Sequence, residues 1–244
     1  KEMKLAATEE RYREEVQKRF IREVEILSRL THPNIAKISD FGQTKKSLYL
    51  VMTYLPGGTL KSRLGKPIPF SIAAGLLVPI AKALSYVHKK GSIHRDVTPG
   101  NILFTDTEEP ILSDFGLVKS LRVEDPSLTK EKGLFIGTAN YAAPEQLEGD
   151  VCFQSDIYAL GVIFYEMIMG QNPLKTKKLL ERLTAPYLEK PSLYVPDLPE
   201  VVDQVILHAT ARELDDRYES MDRFIVELSK LVAGNASVQK DEKL

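Results

Sequence analysis

The chain has 244 residues, 43% of them hydrophobic, enough apolar material for one large domain or two small lobes and unlike a disordered segment. Thirty-three basic residues against 34 acidic ones leave a formal charge of −1, so there is no net positive field to attract nucleic acid. The single cysteine, Cys152, excludes a disulfide framework and a cysteine-built zinc cluster, and it reads as a small core residue. No segment reads as apolar enough to cross a membrane: the best run, Ile157 to Gly170, falls short of the roughly 20 residues required and contains Glu166. The charged start, KEMKLAATEERYREE, has no signal region. The expectation is a cytoplasmic segment touching neither nucleic acid nor membrane, and a piece of a longer protein, a membrane-anchored one included.

In chain order, Val16, Phe20, Val24, Leu27 and Leu30 recur at helical spacing and predict a helix that stops before His32-Pro33-Asn34. IAKISDF and SLYLVMTYL, separated by GQTKK, predict two adjacent antiparallel strands. Pro56-Gly57-Gly58 breaks the chain and marks the boundary between a small first lobe and a larger second one. Ile72, Leu76, Ile80, Leu84 and Val87 trace a further helical stripe, which Pro79 should kink or interrupt. SIH, NILF and PILSDF predict short strands and turns, and residues 119 to 140 a long loop. Residues 154 to 170 form the most apolar helix, amphipathic helices follow to about Leu231, and NASVQKDEKL reads as a frayed tail.

Three segments place polar residues where turns or strand ends are predicted. They are Ile93-His94-Arg95-Asp96-Val97-Thr98-Pro99-Gly100-Asn101, Ser113-Asp114-Phe115-Gly116, and Gly137-Thr138-Ala139-Asn140-Tyr141-Ala142-Ala143-Pro144-Glu145. Singly, an Asp or Asn in such a place is a turn residue. As a set, Asp96, Asn101 and Asp114 supply oxygen donors from two loops, the ligands a hard cation takes when phosphate oxygens complete its shell.

In order and spacing the three segments resemble the protein-kinase pattern: HRD with an Asn five residues on, then DFG, then GTANYAAPE. The resemblance runs from residue 1 to about 232 and implies an α+β, two-lobed protein-kinase-like fold. The first lobe would be incomplete over residues 1–54, the second mainly helical over 55–232, and a polar tail would occupy 233–244. It implies ATP and Mg²⁺ as cofactors and a protein substrate with a Ser or Thr hydroxyl as partner. Asp96 would accept or orient the hydroxyl proton, and Asn101 and Asp114 would hold the Mg²⁺ ions. Thr138 resembles the mark of Ser/Thr specificity, and Glu145 the acid that pairs with a late arginine, here Arg217.

Glu23 lies on the buried stripe of the first helix, where a carboxylate is costly without a cation. The resemblance pairs it with a phosphate-binding lysine. Lys1, followed by Glu-Met, is the preferred candidate; Lys4 has the more usual separation from Glu23. No GxGxxG occurs in the 244 residues. Met52 would gate the adenine pocket, the Leu55 backbone would bond the adenine edge, and Leu103 would pack beneath the base. Thr53 stands where many relatives have Glu. Leu27, Ile38, His94 and Phe115 are spaced like the apolar column that joins the lobes. Asp156 is expected to cap its helix and also to anchor the catalytic-loop backbone.

Thr98 departs from the pattern, standing where Ser/Thr kinases have a lysine. Arg95 and Lys119 would form a cationic pocket for a phosphate on the activation segment, with Thr129 and Ser127 as acceptors and no hydroxyl in Leu134-Phe135-Ile136. Two other readings compete with the Ser/Thr kinase: a kinase-fold scaffold with little or no catalysis, and a small-molecule kinase of the aminoglycoside-phosphotransferase type.

Overall fold

The computed structural model describes residues 2–4, 18, 20–22, 24–44, 47–115, 139–175 and 188–241. Helix α1 is helical over residues 24–28 and at 18 and 20–22. It buries Phe20, Val24 and Leu27, with Leu30 just beyond it, the stripe expected from their spacing. Strands β1 (Glu2–Lys4), β2 (Ile38–Gln43) and β3 (Ser47–Met52) form an antiparallel sheet in the order β1-β3-β2. Strand β2 begins at Ile38 and not at Ile35, because Ile35 is already used in a parallel bridge to Leu112. It also takes in Gly42 and Gln43, expected in the turn. The turn itself closes when Thr44 N–H donates to the Ser47 carbonyl at 2.7 Å.

Beyond the Pro56-Gly57 turn, helix α2 (Leu60–Arg63) is capped by Thr59, whose hydroxyl accepts the Ser62 N–H at 3.3 Å. Helix α3 (Phe70–Lys89) runs unbroken through Pro79. Pro79 and Gly75 are half-buried, so the Gly75 carbonyl that loses its partner faces the side that water reaches. The expected stripe holds at Ile80, Leu84 and Val87, all fully buried, but at the start of the helix the buried face turns to Ala73, Ala74 and Leu77, and Ile72 is 55% exposed. This helix is long and apolar enough by composition to cross a membrane, contrary to the sequence expectation. Here, however, its apolar face packs on two later helices, Phe153–Met169 and Met221–Asp241.

Strands β4 (Ile102–Phe104) and β5 (Pro110–Leu112) form an antiparallel hairpin, whereas residues 92–94 are not a strand. After the short α4 (Pro144–Glu148) comes α5 (Phe153–Met169), buried nearly all round as its composition requires. Helices α6 (Glu200–Ala209) and α7 (Met221–Asp241) complete the larger lobe. The backbone of α7 continues through most of the segment expected to fray, which is rich in helix-tolerant Ala, Gln and Lys. Residues 119–138 of the long loop expected over 119–140 lie outside the described residues.

The β4–β5 hairpin is held along both edges. On one side Ala36 N–H donates to the Leu112 carbonyl at 2.8 Å and Leu112 N–H to the Asn34 carbonyl at 2.9 Å. On the other, Gly57 N–H donates to the Phe104 carbonyl at 2.9 Å and Phe104 N–H to the Gly58 carbonyl at 3.0 Å. Arg63 stacks on the Phe104 ring at 3.6 Å and donates to the Gly57 carbonyl at 2.8 Å. The approach at Gly57 is too close for any side chain: a Cβ would meet the Thr105 carbonyl oxygen at 2.4 Å. Gly57→Ala should therefore push the interlobe turn off the hairpin and cost roughly 1–3 kcal/mol, measurable as a lower urea midpoint with an unchanged slope.

Candidate active site

The site is built around a buried carboxylate. Asp156, 1% exposed, accepts His94 N–H at 2.9 Å on one oxygen and Arg95 N–H at 3.0 Å on the other. His88, at the end of α3, adds its Nε2–H at 2.8 Å. A carboxylate this deep is tolerable only with several donors. Of the two roles expected for Asp156, only the anchoring one is found. The N-cap of α5 is Cys152, whose N–H donates to Ser155 Oγ at 3.1 Å, and Asp156 sits a turn further in. Cys152 is accordingly half-buried at a helix start and not a core residue.

The anchored loop bends back on itself. Arg95 adopts a left-handed φ of 67° and Asp114, on the neighbouring loop, one of 58°. Asn101 donates its amide to the Asp96 carbonyl at 2.8 Å and to Asp96 Oδ2 at 3.1 Å. Its own backbone carbonyl accepts Ser113 N–H at 2.8 Å, which places Asp114 next in chain beside Asn101. His94, wholly buried, accepts Asp96 N–H on Nδ1 at 3.3 Å and donates from Nε2 to the Ser113 carbonyl at 3.1 Å. That pattern requires the neutral ring, and burial, outweighing the nearby carboxylates, lowers the His94 pKa. The three oxygen-bearing side chains expected to act together thus lie on two loops stitched by these bonds. With its nitrogen turned to Asp96, Asn101 has its amide oxygen left as a hard donor, one loop step from Asp114 through the Ser113–Asn101 backbone bond.

Behind the loop, Glu145 on α4 meets Arg217 at 2.8 and 3.2 Å. The guanidinium also donates to the Ala211, Gln154 and Arg212 carbonyls at 3.0, 3.0 and 3.1 Å, so all of its donors are used inside the protein. Burial alone would raise the Glu145 carboxyl, but the hydrogen bonds and charge of Arg217 hold it below the ordinary range. Ser155 Oγ completes the pair by donating to Glu145 Oε1 at 2.7 Å.

The protein kinase domain pattern matches residues 1–220. The chain belongs to the protein kinase family. It is similar to the probable serine/threonine-protein kinase PknB of Lactococcus lactis, at 33% identity over 86% of this chain and 34% of that protein. It is similar also to the serine/threonine-protein kinase PknA of Mycobacterium tuberculosis, at 34% identity over 88% of this chain and 51% of that protein. A third relative is the DNA damage-responsive serine/threonine-protein kinase RqkA of Deinococcus radiodurans, at 37% identity over 83% of this chain and 31% of that protein. The chain therefore spans between about a third and half the length of these relatives.

Within this kinase domain Met52 ends β3 opposite Ile38, and Leu55 is half-buried in the otherwise exposed linker that follows. Leu103 is half-buried in β4, the strand bridged to Thr59. Of the expected apolar column, His94 and Phe115 stack at 4.5 Å, Leu27 is buried and Ile38 packs against the core. Lys1, Glu23, Lys119, Ser127, Thr129 and Thr138 lie outside the described residues, as does the side chain of Lys4.

Sequence reasoning passed over His88, Gln146 and the group at Tyr141. Beside Lys89 and Lys90, His88 looks like one more cation at a helix C-terminus. Tyr141 donates to Glu166 at 2.6 Å, and Asn172 joins the same carboxylate at 3.2 Å, tying the end of the activation segment to α5. Only Glu166, a charge inside an apolar helix, carried a signal in the sequence.

Truncating Arg217 to Ala strands Glu145 in a partly buried site and should cost about 3–5 kcal/mol in chemical unfolding. His94 sets a pH dependence of definite sign. Its folded pKa lies below the ordinary 6.5, so the unfolded chain takes up the proton first. Its contribution is full above the ordinary value and is lost as pH falls through the depressed one. Unfolding free energies between about pH 7.5 and 5 should fall more steeply in the wild type than in His94→Phe.

Proposed function

We propose that this domain transfers the γ-phosphate of ATP to Ser or Thr hydroxyls of protein substrates. The observation that supports this best is the junction of Asp96, Asn101 and the Ser113-Asp114 step. It brings a carboxylate to act on a hydroxyl proton next to two oxygen donors for a cation. Asp96 accepts the substrate proton as the hydroxyl oxygen bonds to the γ-phosphorus. The bond from that phosphorus to the β–γ bridging oxygen breaks, and ADP leaves. Asn101 and Asp114 are the residues to hold Mg²⁺, which when bound neutralises charge on the phosphate oxygens.

The names of the relatives support hydroxyl-bearing proteins as substrates over small molecules. The presence of Asp96, Asn101 and Asp114 in the sequence supports catalysis over a silent scaffold, for which Thr98 and the absence of a GxGxxG in the 244 residues would speak. Thr98 is extended, with φ −144°, and its side chain makes no capping bond. In this reading it leaves to other groups the phosphate contact that a lysine makes in relatives. ATP as co-substrate assigns the domain to the cytoplasm. The half-buried position of Arg95 supports, with Lys119, the reading of a phosphate-responsive activation segment.

Replacing Asp96 with Asn keeps the shape of the site and removes the proton acceptor. Transfer of labelled γ-phosphate to a Ser/Thr substrate should fall by roughly 10²–10⁴, with nucleotide affinity close to wild type. Undiminished transfer would overturn the reading.

A further inference from the structure

The peptide unit that carries Asp96 is held at both of its polar ends. Its N–H, belonging to Asp96, points at His94 Nδ1 at 3.3 Å, and its carbonyl, belonging to Arg95, accepts Gln146 Nε2–H at 2.8 Å. Arg95 has a φ of 67°. A residue with a long side chain is strained there and stays only where its surroundings over-determine it. The Arg95 N–H is already fixed by Asp156. The carbonyl is what sets the rotation of the peptide plane, and the bond from Gln146 is the one that reaches it from outside the loop.

Gln146 comes from a rigid place. It follows Glu145 on α4, and Glu145 is locked to Arg217 and Ser155. The amide of Gln146 is therefore a fixed donor aimed across about fifty residues of chain at one half-buried carbonyl. We propose that Gln146 is a positioning residue for Asp96. It holds the Arg95–Asp96 peptide in the orientation from which the Asp96 carboxylate meets the substrate hydroxyl. In doing so it links the end of the activation segment to the catalytic loop. This rests on the reading of Asp96 as the proton acceptor. A residue acting in this way affects the chemical step and leaves nucleotide binding alone.

The test compares the wild-type full-length protein with Gln146→Met, which keeps the length and removes the donor, and with Gln146→Lys, which restores a donor. Backbone hydrogen exchange over residues 94–97 is read alongside kcat and the KM for ATP. The Met variant should exchange faster in that segment. Its kcat should fall about five- to tenfold, the scale of one hydrogen bond, with KM for ATP within about twofold. The Lys variant should recover most of both losses. Should the Met variant not fold, Gln146→Asn, one methylene too short to reach, takes its place. Unchanged exchange at 94–97, a loss shared equally by KM, or a loss that Lys does not restore would overturn the proposal. Faster exchange in the variant of a protein whose wild type transfers no phosphate would support the positioning role and refute the phosphotransfer reading.

Discussion

A single negative charge in the middle of the larger lobe decides the shape of the catalytic loop. Asp156 is costly where it sits, and the cost is offset only by the three donors that converge on it from His88, His94 and Arg95. Two of them are backbone groups, so satisfying the carboxylate fixes two successive residues of the loop. Arg95 is held left-handed as a result, and Asp96 is turned toward Asn101. Removing the charge would release both backbone N–H groups and leave the strained turn to the Gln146 bond on the Arg95 carbonyl.

The first turn of α5 serves several such purposes at once. Gln154 gives its carbonyl to Arg217 and its amide to the Leu214 and Tyr218 carbonyls, Ser155 supports Glu145, and Asp156 holds the loop. One turn later in function, though near the other end of the helix, Glu166 holds Tyr141. A helix buried nearly all round is a stiff base for such contacts, because its apolar residues leave it no face on which to slide. Gln154, Ser155, Asp156 and Glu166, its charged and amide or hydroxyl-bearing aliphatic side chains, are all committed.

How much of this was readable beforehand depended on whether the deciding contact was local. The stripe of α1, the antiparallel pairing of β2 with β3 and the central α5 follow from periodicity alone. The Glu145–Arg217 pair came from the kinase resemblance and not from any local pattern. The stripe on α3 was right at Ile80, Leu84 and Val87 and wrong at its start, where Ala73 and Ala74, small residues easily passed over, mark the face on which α5 and α7 lie, and Ile72 is left outside. Ile35 looked like a strand residue of β2, and its real partner, Leu112, is far away in sequence. Asp156 was expected to cap its helix, as an acid near a helix start ordinarily does, and also to anchor the catalytic loop; only the second role is found. The donors that define its actual role come from two distant segments, and nothing local announces them.

The hairpin of β4 and β5 has chain of the smaller lobe along one edge, at residues 34–36, and the turn that leaves that lobe along the other, at 57–59. Two separated attachments act like a pair of pins through one plate. They oppose sliding of one lobe across the other and leave tilting about the line between them as the soft direction. A lobe mounted in this way can open and shut over a nucleotide while staying in register with Asp114, which begins two residues past the same plate.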